Sequence, residues 1–241
     1  MVSTFDLTGE VALVVGAAEG GLGDRAARAL AEHGATVVRA DLVGGEDGLL
    51  QVDVTSESSV RALVAAVVER HGRIDVVVNA AGVMLRKAFE ETGVAEFEHV
   101  LRVNLTGSWL LAREVAPAMS PGGRMVNLST VYAERVGPIP ESAYYSSKAG
   151  VANLTRSLAA ELGPRGITVN CLAPGVFYPT KMTAALGGDP ERLQWFSDRT
   201  MLGRLGDPDT DFAGPLILLA SSAASYMTGQ VIYVDGGWSA W

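Results

Sequence analysis

Cysteine and histidine are scarce in this chain, which has one of the first and three of the second. A single cysteine, Cys171, excludes an internal disulfide, and a lone thiol of this kind is typical of a reducing, cytoplasmic setting. The histidines, His33, His71 and His99, stand singly, and no cysteine, histidine or carboxylate cluster has the spacing of metal ligands. We therefore expect no catalytic metal.

Long hydrophobic runs and positive charge are also lacking. No apolar run reaches the roughly 18 residues that a membrane span requires, and the apolar stretch at 213–220 is interrupted by Gly214 and Pro215. The formal net charge is −8, and a negative surface repels both phosphate backbones and anionic lipid. Nucleic acids and membranes are therefore excluded as partners, which leaves a small-molecule substrate as the expectation.

Hydrophobic residues are plentiful and occur in a regular order. They make up 48% of the 241 residues, which is ample for the core of one large domain. Short β-branched runs, apolar on both faces, alternate with longer segments rich in alanine and leucine, as in parallel strands covered by helices on both sides. This order predicts an α/β fold with a doubly wound, Rossmann-type parallel sheet, in a single domain over residues 1–241. Strands are expected at 11–15, 36–40, 52–54, 74–78, 125–128, 167–172 and 231–234, and helices at 22–33, 56–71, 94–119, 143–162 and 212–221.

The stretch 177–209, called the lid below, is rich in glycine, proline, aspartate and threonine. It is too long for an ordinary connection, and long connections in compact domains are often functional, so we expect it to cover a substrate. Its large apolar side chains either pack the lid itself or wall an apolar substrate pocket. They are Met182, Leu186, Trp195, Phe196 and Met201.

A glycine-rich loop follows the first predicted strand, with the sequence Gly16-Ala17-Ala18-Glu19-Gly20-Gly21-Leu22-Gly23. Such a loop lets the chain turn sharply, brings the backbone close to a pyrophosphate and aims the amides of the next helix at that anion. A glycine cluster alone is weak evidence, but its place between strand and helix predicts a dinucleotide site that includes Gly16, Gly21 and Leu22.

Asp41 closes the second predicted strand. A carboxylate there can accept hydrogen bonds from the adenosine ribose hydroxyls and would repel a 2′-phosphate, which favours NAD over NADP. Arg39, two residues earlier on the same side, leaves some affinity for NADP. Asp53, after the third predicted strand, is placed to meet the adenine amino group or to serve as a turn residue.

Tyr144 and Lys148 stand four residues apart in a predicted helix and therefore share one face. The pKa of a phenol, near 10, is too high for proton transfer at neutral pH, and a nearby ammonium lowers that pKa by stabilising the phenolate. Tyr145, three residues from Lys148, could take the same role, and spacing alone does not choose between the two tyrosines.

With these motifs in this order, the chain resembles the short-chain dehydrogenase/reductase superfamily in its shorter NAD(P)-dependent form. The resemblance covers nearly the whole chain. It rests on the glycine loop, Asp53-Val54, Asn79-Ala80-Ala81-Gly82, Asn104, the Tyr144 and Lys148 pair, Val169-Asn170-Cys171-Leu172-Ala173-Pro174-Gly175, and Thr228-Gly229-Gln230 through Val234-Asp235-Gly236-Gly237.

The resemblance implies an enzyme that moves a hydride between a nicotinamide cofactor and a carbonyl or secondary alcohol. Tyr144 would be the general acid in reduction and the base in oxidation. Lys148 would lower the pKa of Tyr144 and hold the nicotinamide ribose, while Asn104 would hold a water that carries protons to solvent. Besides the loop, the catalytic pair and Asp41, the resemblance implies cofactor contacts from Asp53, Val54, Asn79, Ala81, Gly82, Pro174, Gly175, Val176 and Thr180.

The chain departs from the family pattern in three places: the glycine loop is one residue longer, Thr180 comes one residue late, and the carbonyl-polarising hydroxyl is ambiguous. Such a hydroxyl stabilises the developing alkoxide. Aligning on the fifth strand selects Thr130, whereas counting back from Tyr144 reaches Val131. We expect Thr130 to fill the role, with its neighbour Ser129 as the alternative.

The substrate is less clearly indicated, and we expect a hydrophobic or cyclic ketone or secondary alcohol. The alternative is a 3-oxoacyl thioester (acyl-carrier-protein) reductase, which usually goes with NADP and a basic patch that Lys181 and Arg192 are too few to form. A more remote alternative is a non-catalytic NAD-binding regulator, which should have lost the tyrosine–lysine pair or the asparagine. The resemblance also implies a homotetramer, and the aromatic end of the chain predicts that Trp238 or Trp241 is buried between subunits.

Overall fold

Seven strands, all paired in parallel, form one sheet in the computed structural model, which describes residues 3–45 and 48–240. The strands are β1 (Val11–Val15), β2 (Thr36–Asp41), β3 (Leu50–Gln51), β4 (Ile74–Asn79), β5 (Met119–Leu128), β6 (Thr168–Pro174) and β7 (Val231–Val234). Their spatial order is β3-β2-β1-β4-β5-β6-β7. The order reverses between β1 and β4, and a crevice opens at the carboxyl ends of the strands beside such a reversal.

Helices cover both faces of the sheet. They are α1 (Leu22–Glu32), α2 (Glu57–His71), α3 (Val94–Leu101), α4 (Gly107–Val115), α5 (Ser142–Leu162), α6 (Pro190–Asp198) and α7 (Ala213–Ala220). Successive strand side chains point to opposite faces, so Leu13 joins the core with α2, α4 and α5, while Val14 joins the core with α1 and α7. The predicted doubly wound α/β fold is confirmed. Within the described residues, we find no helix with the length and apolar character to cross a membrane.

Two predicted elements differ from the structure. The third strand was expected at 52–54, but β3 pairs with β2 through Leu50 and Gln51. The amide of Val52 still donates to the carbonyl of Asp41 in β2 at 2.7 Å, but the chain then turns at Asp53, whose carboxylate accepts a hydrogen bond from the amide of Thr55 at 2.8 Å. Val52 and Val54 are both buried, and their apolar character predicted a strand at 52–54 instead.

The helix predicted at 94–119 is divided rather than continuous. A five-residue π-helical turn, Arg102–Thr106, separates α3 from α4, and Met119 already belongs to β5. At this turn the side chain of Asn104 is buried, and it both accepts a hydrogen bond from the backbone of Val83 and donates one to it. This contact between distant segments accounts for the break in the helix.

The lid is packed, and it contains α6. Leu186 and Phe196 are buried with Val131 and Trp238 in a third hydrophobic cluster. Trp238 is only 7% exposed within its own chain. Trp238 is therefore covered by the lid of its own chain, and Trp241, the other residue of the predicted subunit contact, lies outside the described residues.

Gly16 and Gly9 offer a matched test of the packing behind the glycine loop. Both have φ +83°, which strains any other residue, but a Cβ on Gly16 would lie 2.5 Å from the carbonyl carbon of Ala80, whereas one on Gly9 would meet nothing within 4 Å. Gly9→Ala should cost about 1 kcal/mol for the left-handed backbone. Gly16→Ala should cost a further 1–3 kcal/mol or so for overpacking. Urea unfolding measures both, and equal losses would contradict this packing.

Candidate active site

A cavity of about 840 Å³ lies along the carboxyl ends of the strands, within the usual range for ligand sites. It runs from the glycine loop to the start of α5. Its wall contains most of the residues singled out from the sequence, namely Gly16, Gly21, Leu22, Asp41, Asp53, Val54, Ala81, Gly82, Thr130, Tyr144, Lys148, Pro174, Gly175 and Thr180. The parallel sheet therefore brings a glycine loop and a tyrosine–lysine pair into one cavity.

The glycine loop leaves the first backbone amides of α1 available to bind an anion in the cavity. The extra residue of the loop is accommodated by Gly20, which has φ +80° and whose amide points to the carboxylate of Asp24 at 3.3 Å. The first amides of α1, those of Leu22 and Gly23, have no partner inside the helix and form the positive end of the helix dipole. These amides are where we predict that the pyrophosphate of a dinucleotide binds.

Two carboxylates lie in the wall near β2 and β3. Asp41 accepts a hydrogen bond from the amide of Ala18 at 2.9 Å, so the glycine loop fixes its orientation. Asp53 is held by Thr55, whose amide and hydroxyl donate to one carboxylate oxygen at 2.8 and 2.7 Å. One oxygen of Asp53 thus holds a turn while the residue stands in the cavity wall, so its contact with adenine, like that of Asp41 with a ribose, stays a prediction.

Lys148 attaches α5 to the end of β5. The residue is 5% exposed, and its ammonium donates a hydrogen bond to the carbonyl of Leu128 at 2.8 Å. The hydroxyl of Ser129 in turn donates to the carbonyl of Lys148 at 2.9 Å. Burial lowers the pKa of Lys148 to about 8.

Tyr144 lies one turn before Lys148, and the lysine Nζ is 5.9 Å from the centre of its ring. The sequence predicted a lowered pKa for this phenol, but in this structure burial raises the pKa of Tyr144 above its usual range, and the negative charge of Glu141 adds to the rise. The hydroxyl of Thr130, hydrogen-bonded to the phenol, acts in the opposite direction. The prediction was wrong in direction because it took account of the ammonium and not of the burial.

Tyr145 is turned away from the cavity. Its hydroxyl donates to the carbonyl of Ile139 at 3.0 Å, and its ring lies 5.1 Å from that of Tyr132. Tyr145 does not appear in the cavity wall, whereas Tyr144 does. The orientation of the two side chains therefore favours Tyr144 over Tyr145, a choice that their spacing from Lys148 left open.

Ser129 and Thr130 both reach the cavity but differ in their partners. The Ser129 hydroxyl is used by the backbone of α5. The Thr130 residue is extended, with φ −163°, and its hydroxyl lies by the Tyr144 phenol, 3.4 Å from the carbonyl of Pro174. This geometry favours Thr130 as the group that polarises a carbonyl.

Three predicted site residues lie outside the cavity wall. Asn79 is buried and donates to the hydroxyl of Ser108 at 2.8 Å. The amide of Asn104 donates to the hydroxyl of Ser147 and to the backbone of Val83 at 2.9 Å, so its side chain holds the loop after β4. Val176 packs in the hydrophobic cluster beneath the lid. The roles that the resemblance implies for these three residues, two cofactor contacts and the proton relay of Asn104, stay predictions.

Arg86 is a wall residue that the sequence did not single out. Its Nε donates to the carboxylate of Glu141, the residue that caps α5, at 2.9 Å. These partners are separated by 55 positions, so no local pattern could have revealed the pair. Of the five large apolar side chains of the lid, Met182 lies in the wall, while Leu186, Trp195 and Phe196 pack the lid itself.

A dinucleotide cradle, a buried lysine and a tyrosine in one cavity define a nicotinamide-dependent oxidoreductase. A family model described as enoyl-(acyl carrier protein) reductase matches residues 16–239. The chain belongs to the short-chain dehydrogenase/reductase superfamily, and it is an oxidoreductase acting on CH–OH groups.

Characterised relatives match over nearly their whole length. The cis-4-hydroxycyclohexanecarboxylate dehydrogenase of Sinomonas cyclohexanicum is 38% identical, over 95% of this chain and 96% of its own. The 3-oxoacyl-(acyl-carrier-protein) reductase FabG of Vibrio cholerae is 34% identical, over 97% and 98%. A gluconate 5-dehydrogenase of Burkholderia cenocepacia, solved with NADP and tartrate, is 32% identical, over 99% and 98%, with a TM-score of 0.91.

The two adjacent hydroxyls can be separated by substitution. Thr130→Val keeps the shape of the side chain and removes its hydroxyl, so turnover should fall by about 100-fold or more, the scale of losing one oxyanion donor. Thr130→Ser should be tolerated. Ser129→Ala, the matched control, loses a hydrogen bond to α5 and should mainly lower stability.

Steady-state turnover, measured beside thermal unfolding, distinguishes these outcomes. An inactive but folded Ser129→Ala protein, together with an active Thr130→Val protein, would transfer the role to Ser129.

Proposed function

We propose that the protein interconverts a secondary alcohol and a ketone on a hydrophobic or cyclic small molecule, with NAD as cofactor. The observation that carries the proposal is the meeting of the Tyr144 phenol, the Thr130 hydroxyl and the Lys148 ammonium in the cavity that begins at the glycine loop. A non-catalytic regulator would not need this arrangement.

The bound nicotinamide supplies or accepts the hydride, and the chain supplies the proton and the electrostatic field. In reduction, Thr130 donates a hydrogen bond to the carbonyl oxygen while Tyr144 gives its proton to that oxygen. A buried phenol whose pKa is raised stays protonated at neutral pH, which suits a proton donor. Lys148, next to the phenol, stabilises the phenolate that remains, and in oxidation the same groups act in reverse.

The wall around the catalytic pair supports a substrate with an apolar body. It presents Val83, Met84, Val103, Phe177 and Met182. The relative from Sinomonas is named for a substituted cyclohexane, which such a wall would accommodate.

A second candidate is a 3-oxoacyl thioester reductase, favoured by the match to the Vibrio enzyme. A carrier protein is acidic and needs a basic surface at the mouth. Arg192 pairs with Asp189 on the surface of the lid, and Arg86 in the cavity wall pairs with Glu141, so both add little to such a surface beside Lys181. The cyclic alcohol therefore remains our first proposal.

The cofactor is tested directly by a panel assay. Purified protein with NAD should gain the near-ultraviolet absorbance of the reduced cofactor on addition of 4-hydroxycyclohexanecarboxylate or cyclohexanol, and the corresponding ketones should reverse it. A larger kcat/KM for an acetoacetyl thioester with NADPH would select the second candidate instead.

Asp41 underlies the preference for NAD, although the Burkholderia enzyme was solved with NADP. Asp41→Asn removes the charge but keeps an acceptor for the amide of Ala18, so kcat/KM for NAD should fall and that for NADP should rise. Glu90→Gln, an exposed change of the same charge, is the control. A wild-type preference for NADP of tenfold or more, about 1.4 kcal/mol, would contradict the assignment.

We also propose a homotetramer in a cytoplasmic setting. Support comes from large apolar side chains on the outside of the helices that follow β4. Val94 on α3 is 74% exposed, and Trp109 on α4 is 44% exposed. Exposed apolar surface of this kind marks interaction sites when it is continuous, and light scattering that gave a stable monomer at micromolar concentration would contradict the proposal.

A further inference from the structure

Charged side chains along the cavity wall are segregated by sign. Within the described ranges, the carboxylates of the wall are Asp41 and Asp53, which follow β2 and β3 on one side of β1. On the other side stand Lys148 above β5, Arg86 after β4 and Lys181 after β6. The chain as a whole carries a net charge of −8, so a half of the wall whose fixed charges are cations is a local exception that attracts an anion.

Two of these cations already have a place in the proposed reaction. Lys148 donates to the carbonyl of Leu128 beside Tyr144. Lys181 is held next to the glycine loop, because its backbone amide donates to the carbonyl of Gly20 at 2.8 Å. Its backbone is therefore fixed beside the glycine loop, where the pyrophosphate is predicted to bind. Arg86 is the remaining cation, and the proposed reaction gives it no role in cofactor binding or in proton transfer.

The guanidinium of Arg86 is oriented so that it can bind an anion. Its Nε donates to Glu141 at 2.9 Å, and one terminal nitrogen lies 3.5 Å from the carbonyl of Met182 in the lid. The side chain of Arg86 is 33% exposed, whereas that of Glu141 is 2% exposed and does not reach the wall. The pair is neutral as a whole, but only its cation faces the cavity. A guanidinium has five donors, and a buried partner on one edge orients the others.

We propose that Arg86 binds a carboxylate group of the substrate, so that the substrate class is hydroxy acids and the corresponding oxo acids. Glu141 is the positioning residue that fixes the guanidinium. This inference rests on the proposed function, since it names the substrate class of the same site. The acid group would lie against the loop after β4 and the lid, with the carbinol carbon at Tyr144 and Thr130.

Matched acid and neutral probes test the inference. The ratio of kcat/KM for 4-hydroxycyclohexanecarboxylate to that for its methyl ester should be well above one in the wild type. Arg86→Met should lower this ratio by about tenfold or more, through a higher KM for the acid, because charge-assisted hydrogen bonds are the strong ones. The ester should be affected little. Arg192→Met removes the same charge from the exposed face of α6, outside the wall, and should leave the ratio unchanged.

Folding is controlled by a second variant. Arg86→Met leaves the buried Glu141 carboxylate without its partner, which is costly. The double variant Arg86→Met with Glu141→Gln removes both charges and should show the same loss of the acid-to-ester ratio. An unchanged ratio in either folded variant, or a wild type that prefers the ester, would overturn the assignment of Arg86.

Binding without turnover separates this inference from the proposed function. Cyclohexanecarboxylate, which has no hydroxyl to oxidise, should bind the wild type in the presence of NAD by calorimetry and should bind Arg86→Met at least tenfold more weakly. Absence of any absorbance change with both probes would refute the proposed alcohol oxidation. Equal binding of cyclohexanecarboxylate to both proteins would refute the carboxylate site at Arg86.

Discussion

The buried ammonium of Lys148, donating to the carbonyl of Leu128 at 2.8 Å, is the interaction on which the rest of the site depends. Burial of a cation is costly unless it is hydrogen-bonded, and the lowered pKa, about 8, expresses that cost. The hydrogen bond fixes the first turns of α5 against the end of β5. Tyr144, one turn earlier, then has to face the cavity, and Ser129 completes the attachment by bonding to the backbone of Lys148.

The parallel sheet places this attachment of α5 next to the other parts of the site. All seven strands end at the same edge, so the glycine loop after β1, the loop holding Arg86 after β4 and the lid after β6 converge there. The lid is packed against this edge of the sheet. Phe196 and Trp238 bury it against the loop after β5, and the amide of Lys181 bonds to Gly20 in the glycine loop. The lid therefore contacts both the glycine loop and the loop after β5.

Local patterns in the sequence predicted the features that depend on residues close together in the chain. Apolar runs located six of the seven strands, and the four-residue spacing of Tyr144 and Lys148 predicted their common face. The third strand was misplaced because Val52 and Val54 are buried beside a turn at Asp53, while the paired residues are Leu50 and Gln51. The break at Asn104 and the pairing of Arg86 with Glu141 depend on contacts 21 and 55 positions apart, which no window of sequence contains. The raised pKa of Tyr144 also follows from burial, which only the packed fold defines.

The most direct test of the account compares Tyr144→Phe with Tyr145→Phe. Each change removes one hydroxyl from a neighbouring ring at the start of α5, so folding and NAD binding should survive in both and can be checked by unfolding and calorimetry. Turnover of Tyr144→Phe should fall by about 100-fold or more, the scale of losing a general acid. Tyr145→Phe should keep most activity, since it loses only a bond to Ile139. A folded, cofactor-binding Tyr144→Phe protein with near wild-type turnover would contradict the account.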